Sequence, residues 1–167
     1  FRSDPRFLGN QISLIGTNCP VGIGFITWKL MDQPELLDIA LAANPKAILL
    51  SFGDPTPFVE KIKTSGTLLI AQCQSLQDAT RATDLGADII VAQGTEAGGH
   101  GSNRATMSLL PAVADALPDT CLVGAGGIAD GRGLAASLML GADGVMLGSR
   151  FYVSKESLAT AMAKTRA

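Results

Sequence analysis

The string LGADIIVAQGTEAGGHG at residues 85–101, echoed by LGADGVMLGS at residues 140–149, decides the fold. Both copies run in the same order: the end of a helix, a glycine, Ala-Asp, then a short apolar run. Gly86 and Gly141 stand where a helix hands over to a strand, because glycine takes the left-handed conformation that stops a helix without a Cβ clash. A helix that stops and feeds a buried strand, twice over, is the join of a βα repeat. Repeated βα units build a parallel sheet.

Outward from these copies the same alternation continues. The apolar runs predict strands over 21–26 (VGIGFI), 47–52 (AILLSF), 68–72, 88–92, 121–124 and 144–147. Between them, Pro34 opens a helix to about Ala43, and a second covers 57–65 before Gly66. Ser75 and Asp78 form a capping box for a third that ends at Gly86. A fourth spans about 108–117. Asp130 caps a fifth that Gly141 ends, and the last runs from about Ser154 to the C-terminus. No Asn-Gly or Asp-Gly joins two alternating strands, so no hairpin is expected. The pattern predicts α/β architecture, with six parallel βα units in a single domain over 1–167. Asp88 and Asp143, at the strand entrances, read as structural caps.

Composition narrows the function classes. Of 167 residues, 47% are hydrophobic, 17% are charged and 19 are glycine, with a net charge of −2. That profile opposes disorder. It also opposes nucleic-acid binding, since no basic run exists to replace phosphate counterions. The uncharged stretch 7–28 carries Asn10, Gln11, Asn18, Pro20 and several glycines, so no membrane span is expected. Cys19, Cys73 and Cys121 lack disulfide or zinc spacing and read as reduced, buried thiols of a cytoplasmic protein. No cluster has metal-ligand spacing, so no metal is expected.

Chemistry in parallel α/β folds sits at the carboxyl ends of the strands. After the fourth strand, glycines crowd the single histidine, His100, with Gly98 and Gly99 directly before it. Histidine is suited to proton transfer near neutrality, although a structural turn also accommodates one. After the fifth strand, Gly126-Gly127 precedes a helix; after the sixth come Gly148, Ser149 and Arg150. Two adjacent turns of backbone and hydroxyl donors suit a phosphate, with tight strand–helix packing as the plainer reading. Gln72, at the end of the third strand, either bonds a ligand ring or is a satisfied strand end. Glu96 either orients His100 or is solvated. Ser51 and Phe52 line the mouth or make a turn.

Three strings, GTEAGGHG (94–101), AGGIADGRGLAASLMLGADGVMLGSRF (125–151) and LLSFGDPTPFVEKIKTSG (49–66), together resemble the nitronate monooxygenase (2-nitropropane dioxygenase-like) family. The similarity runs from about Val21 to Glu156. It implies an FMN-dependent TIM (β/α)₈ barrel that oxidises alkyl nitronates or nitroalkanes with O₂. It implies His100 as catalytic base, with Gln72, Gly98, Gly99, Gly126, Gly127, Gly148 and Ser149 at the FMN. The six units then correspond to the family's strands three to eight, without its first two units. Such a barrel typically takes about 250 residues. An open sheet leaves edges that a homo-oligomer could cover. Two other readings stand beside this one. One is an FMN-dependent NAD(P)H reductase of quinones or enoyl thioesters; the other is a truncated, non-catalytic barrel fragment.

Overall fold

The computed structural model describes residues 4–15 and 20–166. Its elements run α1 (Pro5–Ile15), β1 (Gly22–Ile26), α2 (Thr27–Leu30), α3 (Glu35–Ala42), β2 (Ala47–Ser51), α4 (Thr56–Thr64), β3 (Leu68–Cys73) and α5 (Leu76–Asp84). They continue as β4 (Ile89–Gln93), α6 (Thr106–Ala116), β5 (Cys121–Ala125), α7 (Gly131–Met139), β6 (Gly144–Met146), α8 (Ser149–Tyr152) and α9 (Ala161–Arg166). The strands hydrogen-bond in sequential order, β1 to β6, in a six-stranded sheet. The pairings β1–β2, β2–β3 and β5–β6 are parallel. Gly22 sits opposite Ala47, and Ala47 opposite Leu68, so the first three strands start level. All six expected strands are present within a residue or two, and the α/β class holds.

The chain divides into two compact units, residues 1–72 with 82–89, and residues 73–81 with 90–167. The first has its own core, in which Leu30, Leu37, Ile48, Leu50, Phe58, Ile62 and Leu69 are buried. Burying side chains of this size removes apolar surface worth about 1.5–3 kcal/mol each, before the entropy of ordering them is charged. In the second unit, Ile90, Val91, Leu109, Leu110, Val113 and Leu122 are buried. There Gly124 lets α6 close on β5: a Cβ on it would lie 3.0 Å from a Leu110 methyl.

The repeated LGAD string is a helix stop joined to a strand pin. Gly86 (φ +89°) and Gly141 (φ +94°) end α5 and α7 in the left-handed region. The next residue reaches back in each case: Ala87 N–H donates to Ala82 O, and Ala142 N–H to Ser137 O, both at 3.0 Å. The aspartate then clamps the preceding strand from both sides of its peptide. Asp88 N–H donates to Leu69 O at 2.8 Å while its Oδ2 accepts from Leu69 N–H at 2.7 Å. Asp143 does the same to Leu122, at 2.7 and 2.8 Å. Asp88 also pairs with Lys63 at 2.7 Å. Burial alone would raise the Asp88 carboxyl, but the Lys63 ammonium and the Leu69 N–H outweigh it and hold it below the usual carboxylate range.

Three segments depart from the sequence expectation. Helix α1 was not foreseen; Asp4 opens it, accepting from Arg6 N–H at 2.9 Å, with Pro5 in the first turn. The short α2 turn after β1 was also not foreseen. The continuous C-terminal helix from Ser154 is not formed. Instead α8 covers Ser149–Tyr152 and α9 begins at Ala161. Side-chain oxygens between them compete with helical bonding: Ser157 Oγ accepts from Ala159 N–H, Thr160 Oγ1 accepts from Ala163 N–H, and Lys164 Nζ donates to Ser154 O. Of the thiols, Cys73 is buried and pushed up to about 12, by burial and then by the Asp78 charge. Cys121, the first residue of β5, is exposed rather than buried, and Cys19 lies outside the described residues. No helix among the described residues is long and apolar enough to cross a membrane.

The aspartate clamp makes a direct prediction. Asp88→Ala leaves the Leu69 N–H without its carboxylate and lowers stability by about 1–3 kcal/mol, the cost of an unsatisfied part-buried donor. The urea midpoint should fall at constant slope; a midpoint equal to wild type refutes the clamp.

Candidate functional site

In the second unit, the loop after β4 meets the turn after β5. Gly94 N–H donates to Ala125 O at 2.9 Å, and Ala97 N–H returns to Gly94 O at 3.2 Å. The approach is close enough to require glycine. A Cβ on Gly94 would run into the backbone nitrogen and hydroxyl of Thr106, and one on Gly126 would lie 2.8 Å from Thr106 Oγ1. Gly126 (φ +107°) and Gly127 (φ +70°) are also both left-handed, a conformation that L side chains resist. The loop then reaches the turn after β6, where a Cβ on Gly98 would sit 3.4 Å from Ser149 Oγ. Of the residues singled out in the sequence, Gly98 and Ser149 are thus brought together, and Gly126 and Gly127 pack on the base of the histidine loop.

Glu96 takes a role that neither sequence alternative named. Helix α6 begins at Thr106, and its N-cap residue, Ala105, has only a methyl and cannot cap it. Both Glu96 carboxylate oxygens accept from Thr106 N–H, at 2.9 and 3.1 Å, and supply that cap from ten residues upstream. Thr106 Oγ1 lies 2.9 Å from Glu96 Oε2, 3.0 Å from Gly126 O and 3.2 Å from Ala125 O, and its single proton serves one of these at a time. Desolvation alone would raise the Glu96 carboxyl, yet the Thr106 donors hold it below its ordinary range. Helix α7 is likewise capped from within: Asp130 Oδ1 accepts from Arg132 and Gly133 N–H. These carboxylates take the Thr106 N–H at the start of α6 and the Arg132 and Gly133 N–H groups at the start of α7. Among the described residues, no protein acceptor engages the N–H of Gly126, Gly127 or Gly148. A Cβ on Gly148 would meet nothing within 4 Å, so space adjoins that turn.

His100 is exposed on this loop, and its own carbonyl is held from two sides. Gln74 Nε2 donates to His100 O at 2.7 Å, and Gln93 Nε2 approaches the same oxygen at 3.4 Å. Gly99, immediately before it, is left-handed at φ +91°. In the first unit, Gln72 pairs with Ser51 across β2 and β3 and is half-buried, one residue before the strand ends. Ser51 Oγ donates to Phe25 O, and Asp54 accepts from Thr56 N–H at the start of α4, so the segment after β2 is a hydrogen-bonded turn.

A family model for nitronate monooxygenase matches residues 23–167. The chain belongs to the nitronate monooxygenase family. A nitronate monooxygenase of Neurospora crassa is 35% identical over 163 residues, covering 82% of this chain and 43% of its own length. A 5-hydroxy-7a-methyl-1-oxo-octahydro-1H-indene-4-carboxyl-CoA dehydrogenase of Rhodococcus jostii is 36% identical over 141 residues, covering 84% of this chain and 39% of its own. Among solved structures, FabK from Thermotoga maritima superposes with a TM-score of 0.88 at 32% identity, over 98% of this chain and 52% of that one. The chain thus spans about two fifths of the length of these curated relatives.

Sequence reading missed Gln74, Gln93 and Thr106. Thr106 was hidden because the helix was expected to begin at Ser108, leaving the residue in a loop. The Glu96 cap spans ten residues, and no local spacing rule reports it. Gln93, buried and polar at a strand end, carried the one usable signal.

The Glu96 cap gives a pH signature with a definite sign. Its folded value is lowered, so its contribution is fully present above the unfolded-chain value of about 4.3 and disappears as pH falls through the folded value. Glu96→Gln should therefore destabilise clearly at neutral pH and progressively less in acid. Urea titrations of both proteins check this, and a pH-independent difference would contradict it.

Proposed function

We propose that this chain is the FMN-binding part of a flavin oxidoreductase that oxidises alkyl nitronates or nitroalkanes with O₂. In this reading it is a single partial (β/α) barrel domain that supplies strands three to eight of the family barrel. The observation that carries the reading is the packing of the histidine loop onto the Gly126–Gly127 turn, with Ser149 at its edge. A proton acceptor and a cluster of anion donors thereby share one side of one compact unit. Left-handed glycine turns with unengaged N–H groups, beside a hydroxyl and open space, fit a phosphomonoester. Gly126, Gly127, Gly148 and Ser149 would hold the FMN phosphate, with Gly98 and Gly99 as further contacts; for Gln72, in the first unit, the family resemblance alone supports a flavin contact. FMN, when bound, supplies electron acceptance from the substrate and the reaction with O₂.

The chain's own residues do the rest. The neutral His100 imidazole accepts the proton from the carbon bearing the nitro group, and the resulting imidazolium faces the nitronate it has made. With a preformed nitronate there is no proton to remove, and His100 contributes charge and position only. A cytoplasmic setting agrees with the thiols of Cys73 and Cys121, neither of which is in a disulfide among the described residues. Self-association into a homo-oligomer would cover open sheet edges.

Two measurements test the reading. The purified chain should be yellow, release FMN on denaturation, and consume O₂ with propionate-3-nitronate. His100→Asn should keep its flavin and lose nitroalkane turnover by about 10²–10⁴-fold, the usual contribution of a general base, with a smaller loss on preformed nitronate. Equal losses on both substrates would remove the base role. The resemblance to a carboxyl-CoA dehydrogenase supports a CoA thioester as ligand and so a second reading, FMN-dependent reduction of an enoyl thioester, or of a quinone, with NAD(P)H. Rapid NADH oxidation without nitronate turnover would establish it instead, and a colourless protein would mark a non-catalytic fragment. Gly148→Ala probes the phosphate turn cleanly, since its methyl meets no protein atom. It should fold as wild type and retain less FMN; full retention would take Gly148 out of the site.

A further inference from the structure

We propose that Gln74 is a positioning residue for His100, acting through the histidine's backbone carbonyl. The proposal rests on the reading of His100 as the base. Three of the four residues before and after His100 within two positions are glycines, namely Gly98, Gly99 and Gly101. Such a run has little intrinsic preference for one conformation. Nothing in the stretch 98–101 is buried, so apolar packing does not order it.

What fixes it is directional. Gln74, just beyond β3, places Nε2 2.7 Å from His100 O, and the buried Gln93 at the end of β4 approaches the second side of that oxygen at 3.4 Å. An oxygen held by donors from two strand ends fixes the peptide plane that follows His100. It thereby limits the backbone rotation that sets where the imidazole is aimed. Gln74 is the shorter bond of the two and the half-buried partner, so it can be replaced without opening the core.

The chain contains one histidine, so the imidazole gives a single, unambiguous NMR signal in a tag-free protein. The experiment compares holoprotein with Gln74→Ala and Gln74→Glu. The glutamate keeps the shape but, ionised, has no proton to donate. In both variants the imidazole signal should broaden or split. Amide exchange over residues 98–101 should quicken by about two- to tenfold, the fold-change of one ordinary hydrogen bond. For a neutral nitroalkane, kcat should fall by about tenfold or more, as misplacement of a reacting group does. KM and flavin content should be unchanged, and the rate on preformed nitronate should fall less than the rate on the nitroalkane. Using two variants guards against a folding defect in either. An unchanged imidazole signal overturns the proposal, as does a loosened loop with unchanged nitroalkane kcat. If the loop loosens but His100→Asn still turns over nitroalkane, the base reading fails while the clamp on the loop stands.

Discussion

Parallel strands must all be entered from the same end, and the chain secures that entrance with an aspartate placed two residues after a helix-stopping glycine. Asp88 grips Leu69 through both its backbone and its carboxylate, and Asp143 grips Leu122 in the same way. Each compact unit contains one such clamp. A strand pair fixed at its entrance has its register fixed throughout, because a slip of one residue would exchange the faces of every side chain. Register at the entrance then determines which residues emerge at the carboxyl ends, where Gln93, Gly94 and Gly126 hold the histidine loop against the turn after β5. The loops at one end of the sheet thus depend on hydrogen bonds at the other.

At the carboxyl end a different economy operates. Helix N-termini are the usual anion sites of α/β proteins, yet here α6 is capped by Glu96 and α7 by Asp130. Both carboxylates complement the dipoles and take part of each helix's donor set, and the amides of the glycine turns lie outside that capping. Separating the two tasks has a structural benefit. The helices are secured by their own side chains whether or not a ligand is present, while the glycine turns stay open to one. Glu96 also couples the regions, since Thr106 stands between its carboxylate and the carbonyls of Ala125 and Gly126.

How legible this was in the sequence follows from the range of each interaction. The strands, the Ser75–Asp78 capping box and the Asp130 cap were readable because period and spacing act over two to four residues. Asp88 and Asp143 were readable as caps because the LGAD repeat showed the same device twice. Glu96 at α6 and Gln74 at His100 span 10 and 26 residues, respectively. Contacts at those separations exist only once the sheet has brought strand ends together, so no local pattern encodes them. The C-terminal helix failed for the opposite reason. Its composition permits a helix over 154–167, but Ser157, Thr160 and Lys164 find backbone partners that a continuous helix would forbid.

The histidine loop is ordered without a core beneath it. Thr95 N–H bonds Arg104 O, Ala97 N–H bonds Gly94 O, Glu96 bonds Thr106, and Gln74 bonds the His100 carbonyl. Each such bond contributes only about 1 kcal/mol net, and the exposed glycines between them resist ordering. The loop therefore belongs to the low-stability end of the fold, where local opening is easiest. A buried apolar anchor in this loop would raise its order, yet it would fill the space that the glycines keep clear beside the Gly126–Gly127 turn.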